Sequence, residues 1–270
     1  MGMGLWVADE EKGLMLLDEN GCRRAGPPGE ALCQTGGRIW CAGAERCYCY
    51  AERTGEYLCG TALPTGICSL AAMGNQVYAL SSDADSITAF TADTGEIIGC
   101  TPAGVYPRDL CAHPGGRMLL AAGGASGEML LFDADLNKLK AYRLPGTVCG
   151  ACFLARGMAA LCAVERGETL AARLYAVSLR GVVEDFFSLA LVPNCLCPLP
   201  DGGCAMGCCG ETVRFSANKK AALRQPFSCP LRLRAARDCI LLCEAGDGVF
   251  LLPSRRRVYT GPNALDALLV

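Results

Sequence analysis

The chain has 270 residues, of which 51% are hydrophobic and 19% charged, so it carries ample material for a packed core and is not disordered. Its formal net charge of -2 gives no bulk attraction for nucleic acid or an anionic membrane, and nucleic-acid binding is not expected. Its 20 cysteines would suggest a disulfide framework in a small secreted protein; in a long, core-rich chain they are expected to be free thiols packed as small hydrophobes.

Met1 to Asp9 lacks a basic segment followed by a signal-length apolar stretch, and no run approaches the roughly 18 apolar residues of a membrane helix. A cytoplasmic location without membrane association is therefore expected. Gly2 is not read as a myristoylation site, because position six is Trp rather than Ser or Thr. The thiol content fits a strongly reducing host.

One unit then recurs along the chain. Its first strand reads Leu5-Trp6-Val7-Ala8, Ile39-Trp40-Cys41-Ala42, Val77-Tyr78-Ala79-Leu80 and Met118-Leu119-Leu120-Ala121. Later copies are Ala160-Leu161-Cys162-Ala163, Cys204-Ala205-Met206-Gly207 and Ile240-Leu241-Leu242-Cys243. The starts fall roughly every 34–45 residues, close to the period of propeller blades. A second strand follows (Leu14 to Asp18, Ser86 to Phe90, Met129 to Asp133, Val249 to Leu252). Turn sequences come next, such as Thr54-Gly55-Glu56 and Asp93-Thr94-Gly95-Glu96, and then a more polar outer strand such as Lys138 to Tyr142.

A small, apolar fourth segment links each unit to the next, and its composition suits the crowded axis of a propeller. It reads Ala31 to Cys33, Ile67 to Ala71, Arg108 to Ala112, Val148 to Cys152, Asn194 to Cys197, Cys229 to Leu233 and Ala264 to Leu268. Because the chain starts just after such a segment and stops just after another, the final strand is predicted to pair with Leu5 to Ala8 and close the ring. The expected fold is all-β: a seven-bladed β-propeller forming one domain over residues 1–270. A β-sandwich or two small β domains is the alternative. Leu170 to Leu179 is the most helix-like apolar run, yet it falls where a strand is needed.

The third and fourth units resemble the YVTN-type repeats of YncE-like propellers. The likeness is carried by Val77-Tyr78-Ala79, Ser86 to Phe90, Asp93-Thr94-Gly95-Glu96, Tyr106-Pro107, Pro114-Gly115-Gly116-Arg117 and Leu131-Phe132-Asp133. It covers roughly residues 75–135 and implies the fold. Members of this class range from lactonases to interaction modules and DNA binders, so the resemblance does not select a function.

The residues offer three chemistries. His113 is the only histidine, sits before Pro114-Gly115-Gly116 in a turn, and has no evident partner; it reads as a loop residue and no catalytic residue is assigned. A lactonase-like site would have only Arg108, Asp109 and Asp266 near the axis. Six of the seven inner segments carry cysteine (Cys33, Cys68, Cys111, Cys149 with Cys152, Cys195 with Cys197, Cys229), which could gather a soft metal. On a strand Cys195-Leu196-Cys197 puts both thiols on one face, whereas Cys149 and Cys152 point apart and are poor co-ligands. Cysteine also fills apolar positions elsewhere, so packing is the preferred reading. Arg232, Arg234, Arg237, Arg255, Arg256 and Arg257 cluster in the last unit and read as a solvated basic rim.

The resulting expectation is a non-enzymatic scaffold that binds another protein or a small ligand at the axial opening around Arg108, Asp109, Cys111, Cys195, Cys197 and Asp266, with no cofactor. A lactonase-like hydrolase is the first alternative, and a thiol-dependent metal or redox protein the second.

Overall fold

The computed structural model describes residues 4–236 and 239–270, so Arg237 of the basic cluster and Met1 to Met3 lie outside the described residues. None of the described residues is helical, and the strands form seven four-stranded antiparallel sheets arranged as the blades of a propeller. Blade one holds β1 (Leu5–Asp9), β2 (Gly13–Asp18) and β3 (Gly21–Gly26). Blade two is β4 (Ala31–Thr35), β5 (Arg38–Ala42), β6 (Arg46–Ala51) and β7 (Tyr57–Ala62). Blade three is β8 (Ile67–Met73), β9 (Gln76–Ser81), β10 (Ser86–Thr91) and β11 (Ile97–Pro102). Blade four is β12 (Asp109–Ala112), β13 (Met118–Ala122), β14 (Glu128–Asp133) and β15 (Lys138–Arg143). Blade five is β16 (Thr147–Phe153), β17 (Met158–Arg166), β18 (Thr169–Val177) and β19 (Val183–Leu189). Blade six is β20 (Pro193–Pro198), β21 (Cys204–Cys208), β22 (Gly210–Phe215) and β23 (Ala221–Phe227). Blade seven is β24 (Pro230–Ala236), β25 (Cys239–Glu244), β26 (Gly248–Leu252) and β27 (Arg256–Thr260), and β28 (Ala264–Leu269) returns to blade one.

The ring closes as the repeats predict. β28 pairs antiparallel with β1, placing Leu5 opposite Leu269, Trp6 opposite Leu268 and Ala8 opposite Asp266. The strands read from the repeats as unit starts are β1, β5, β9, β13, β17, β21 and β25. The helix-like run at Leu170 to Leu179 falls on β18, extended against β17 and β19.

Burial across each blade follows from its place in the ring. Neighbouring blades stack face to face, so both faces of the second strand are covered; Leu5 to Asp9 is buried throughout. Outer strands meet solvent, and β3 exposes Gly21 to Arg24. Large side chains at one repeated position knit the blades together. Trp6 is fully buried and donates to Glu52 O of blade two at 3.0 Å, while Tyr78 donates to Ala134 O of blade four at 2.8 Å. Trp40 meets Phe90 of blade three edge-on, with ring centroids 4.8 Å apart. The Thr-Gly-Glu turns serve this packing: Gly95 has φ 74°, and a Cβ there would lie 3.4 Å from Trp40.

Near the axis there is little room for side chains between strands. A Cβ on Gly150 of β16 would lie 2.8 Å from the Leu196 Cβ on β20, which explains the small residues of the inner segments.

Candidate functional site

Five inner strands begin with the same irregularity. The register slips at Cys68, Cys149, Asn194, Leu231 and Leu265, each an extra residue opposite the neighbouring strand. Arg108 holds the matching place in blade four, since its N–H bonds Ala122 O while Asp109 pairs with Ala122. A bulge redirects side chains, and it commonly marks functional rims. Here the bulged residues Cys68, Cys149, Asn194 and Leu231 join Arg108, Asp109, Cys195 and Arg232 around an axial cavity of about 210 Å³.

Arg232 closes the floor of that cavity. Its guanidinium leaves blade seven and crosses the axis to blades three and four, donating to Cys68 O at 2.7 Å and Asp109 Oδ1 at 3.3 Å. Ser69 Oγ donates to the same Asp109 oxygen at 3.1 Å and accepts from Leu110 N at 3.2 Å. Arg232 Nε is buried and meets no acceptor among the described residues. Burial raises the Asp109 carboxyl above its ordinary value, against the pull of Arg232 and Arg234.

Two residues further along the same strand, Arg234 points to the axis again, as the period of two requires. It grips Asp266 with Nε at 3.0 Å and Nη2 at 2.6 Å, and donates to Leu32 O at 2.8 Å. Asp266 is fully buried and also accepts Leu32 N and Ala267 N, each at 2.9 Å. Burial alone would raise its carboxyl, but Arg234, Arg232 and the Leu32 N–H hold it below the ordinary value. Beyond Arg232 a second cavity of about 330 Å³ opens at the other end of the axis, lined by Cys33, Cys111, Cys197 and Arg234 among others.

The six residues expected at one opening are thus spread along the axis. Arg108 is exposed in the first cavity; Asp109 borders both cavities; Cys195 lines the first; Cys111 and Cys197 line the second; Asp266 is sealed beside Arg234. At the axial cysteines Cys33, Cys68, Cys111 and Cys197 burial disfavours the thiolate. Burial pushes the Cys33, Cys111 and Cys197 thiols up to about 12 and Cys68 to about 11. Among the described residues no three His, Cys, Asp or Glu side chains gather as a metal would require. Cys149 opens to the first cavity while Cys152 is buried against Cys204, so the pair points apart as read from its spacing.

The basic cluster needs correction. Arg232 and Arg234 are axial and largely buried, paired with Asp109 and Asp266, and do not belong to a solvated rim. Arg255, Arg256 and Arg257 are exposed: Arg255 stacks over Phe227 and Arg257 pairs with Asp247. His113 is a turn residue, accepting Gly115 N at 2.9 Å on Nδ1 and packing edge-on against Phe153.

One feature of the rim had no sequence signal as a site. Tyr106 is 63% exposed in the loop entering β12, with φ 50°, a left-handed conformation uncommon for an aromatic residue. Its N–H is pinned by Asp85 Oδ1 at 2.7 Å, and Val105 beside it bonds Gly123 and Ala125 of blade four. Arg108, two residues on, has no ion pair or side-chain hydrogen bond among the described residues.

Taken together, these features define the class as a seven-bladed β-propeller with an arginine-crossed axis. No family model matches the sequence, and no curated protein matches it. Solved structures share the fold at low identity. A candidate 6-phosphogluconolactonase from Bacteroides uniformis is similar with a TM-score of 0.74 and 13% identity, over 100% of this chain and 99% of that one. The WD40 repeats of RRP9 give 0.73 and 11%, over 98% and 90%. BBS1N, solved in complex with ARL6DN, gives 0.70 and 14%, over 95% and 90%. At these identities the likeness speaks for the fold alone.

Proposed function

We propose that the protein is a non-enzymatic binding propeller of YVTN/YncE-like descent, which acts in the reducing cytoplasm and holds a protein partner at the mouth bordered by Arg108. The observation that carries this reading is the pairing of Tyr106 and Arg108 on one loop. An exposed aromatic held in a strained backbone conformation is two residues from an arginine that has no carboxylate partner among the described residues, and these are the residue types that dominate protein interfaces. An acidic side chain of the partner meets Arg108, and an apolar segment covers Tyr106 and Val105. BBS1N, a propeller of similar fold, was solved in complex with a protein, which is consistent with this use of a propeller face.

The hydrolase alternative has less support, because Asp109 and Asp266 are each engaged by an arginine and neither is left as a base. Asp109 is tied into the axial network through Arg232 and Ser69. Replacing it would disturb the axial network, so Arg108 and Tyr106 are the informative positions.

The double substitution Tyr106→Ala with Arg108→Ala should leave the unfolding midpoint within experimental scatter and weaken partner binding by at least roughly 30-fold, the effect of losing about 2 kcal/mol at a hot spot. Quantitative affinity purification from the host, followed by titration of the recovered protein, measures this. Leu139→Ala on the exposed outer strand β15 serves as the control. Partners lost from the double variant and kept by the control support the reading. An identical set of partners on both, or none on the wild type, contradicts it.

A further inference from the structure

Beside the mouth, at the junction of blades six and seven, two thiols stand together. Cys209 lies in the turn between β21 and β22, tied by its N–H to Val192 O at 2.9 Å. Cys229 immediately precedes β24, and its carbonyl accepts Ala245 N at 3.0 Å. Their Sγ atoms are 3.9 Å apart. Asn194, the bulged residue of β20, directs Nδ2 at both sulfurs, 3.4 Å from Cys209 and 3.6 Å from Cys229. Both cysteines are half-buried, so a small reagent can reach them.

Other neighbouring thiols differ in burial. Cys152 and Cys204 are both buried, as is Cys49, which pairs with Cys59 across β6 and β7. Cys22 and Cys100 are exposed, but among the described residues neither hydrogen-bonds another thiol.

We propose that Cys209 and Cys229 are a site of reversible thiol–disulfide exchange with low-molecular-weight disulfides, which staples blade six to blade seven beside the mouth. The sulfurs must approach from 3.9 Å to about 2.05 Å for the bond to form. The amide N–H groups of Asn194 stabilise a thiolate more than a thiol, which favours the attacking form. Asn194 Nδ2 lies nearer Cys209, at 3.4 Å against 3.6 Å, and burial holds the Cys229 thiol above its ordinary value; the first attack is assigned to Cys209.

In the first step Cys209 loses its proton to solvent and its sulfur attacks one sulfur of the disulfide reagent. A mixed disulfide forms, and one thiolate leaves and takes up a proton. Cys229 then loses its proton, attacks Cys209 Sγ, and displaces the second thiolate. Two protein thiols are oxidised to one disulfide, and one disulfide reagent is reduced to two thiols.

The test uses the folded, fully reduced chain and glutathione disulfide, with alkylation of remaining thiols and peptide mapping by mass spectrometry. The expected result is a Cys209–Cys229 linked peptide, lighter by two hydrogens, appearing before any other cysteine is modified and reversed by dithiothreitol. Cys229→Ser should instead accumulate the mixed disulfide on Cys209, and Asn194→Ala should slow exchange several-fold. Earlier linkage of another pair, or Cys209 and Cys229 still alkylated as free thiols after the exposed Cys22 and Cys100 have reacted, would overturn the proposal.

Discussion

Replacing Arg234 by methionine is expected to destabilise the fold by about 3–5 kcal/mol, the loss that follows when one partner of a buried ion pair is removed. Asp266 has no exposure, and Arg234 supplies two of the hydrogen bonds that compensate its charge. Methionine restores most of the volume, so the effect isolates the stranded carboxylate. Adding Asp266→Asn should then recover part of the loss, because the amide oxygen can still accept Leu32 N without a buried charge. A second substitution that stabilises the first is a signature that surface arginines do not give.

The pH dependence should reverse sign as well. In the wild type the Asp266 carboxyl is held below its ordinary value of 3.8, so its contribution is present above the unfolded value and is lost as pH falls through the folded one. Without Arg234, burial raises the same carboxyl. The folded state then binds the extra proton first, and the variant becomes relatively more stable as pH falls from neutrality toward the ordinary carboxylate range. Asp109, whose carboxyl burial already raises in the wild type, also loses the opposing pull of Arg234 in the variant, which moves the slope in the same direction. Denaturant unfolding of both proteins at neutral and mildly acid pH measures the two slopes; parallel slopes would contradict the assignment.

Deleting residues 263–270 should have a larger effect still. The deletion removes β28, leaves β1 as an unpaired edge on the axial side of blade one, and takes Asp266 away from Arg234. It also uncovers Leu5 and Val7 of blade one and Leu241 and Cys243 of blade seven, which are buried in one cluster with Ala264 and Ala267. These losses together rival the roughly 5–15 kcal/mol that holds a domain folded. The expected outcome is loss of the cooperative unfolding transition and aggregation through the free edge, with rescue by a peptide of residues 262–270 added in trans. A truncated chain with an unchanged midpoint would mean that the ring is not closed through this strand.

Much of this architecture was readable because burial on both faces repeats from blade to blade. Trp6, Trp40 and Tyr78 occupy one position in three units, and an apolar strand bounded by turn residues surrounds each. The closure could be read from Pro262 to Asp266, which parallels Pro193 to Cys197 and Pro107 to Cys111. The axis was less legible. The bulges at Cys68, Cys149 and Asn194 depend on a one-residue register slip, which leaves no mark in composition or alternation. Arg232 stands in the segment Cys229 to Leu233 read as an inner strand and Arg234 just beyond it, but arginine ordinarily signals solvent. The partners that Arg232 meets at the axis are Asp109 and the Cys68 carbonyl, both far away in sequence. The left-handed Tyr106 is set by contacts with Asp85 and blade four, and those contacts are likewise non-local.

The most direct measurement of the axial arrangement is a double-mutant cycle on Arg232 and Asp109, using Arg232→Met, Asp109→Asn and the double variant. These residues are 123 positions apart in sequence and meet only if blade seven reaches across the axis to blade four. A coupling energy of about 1–3 kcal/mol from equilibrium unfolding, with m-values unchanged, is expected for a partly buried charged contact. Strict additivity of the two substitutions would mean that the guanidinium does not span the channel, and the closed floor beneath the Arg108 mouth would have to be abandoned.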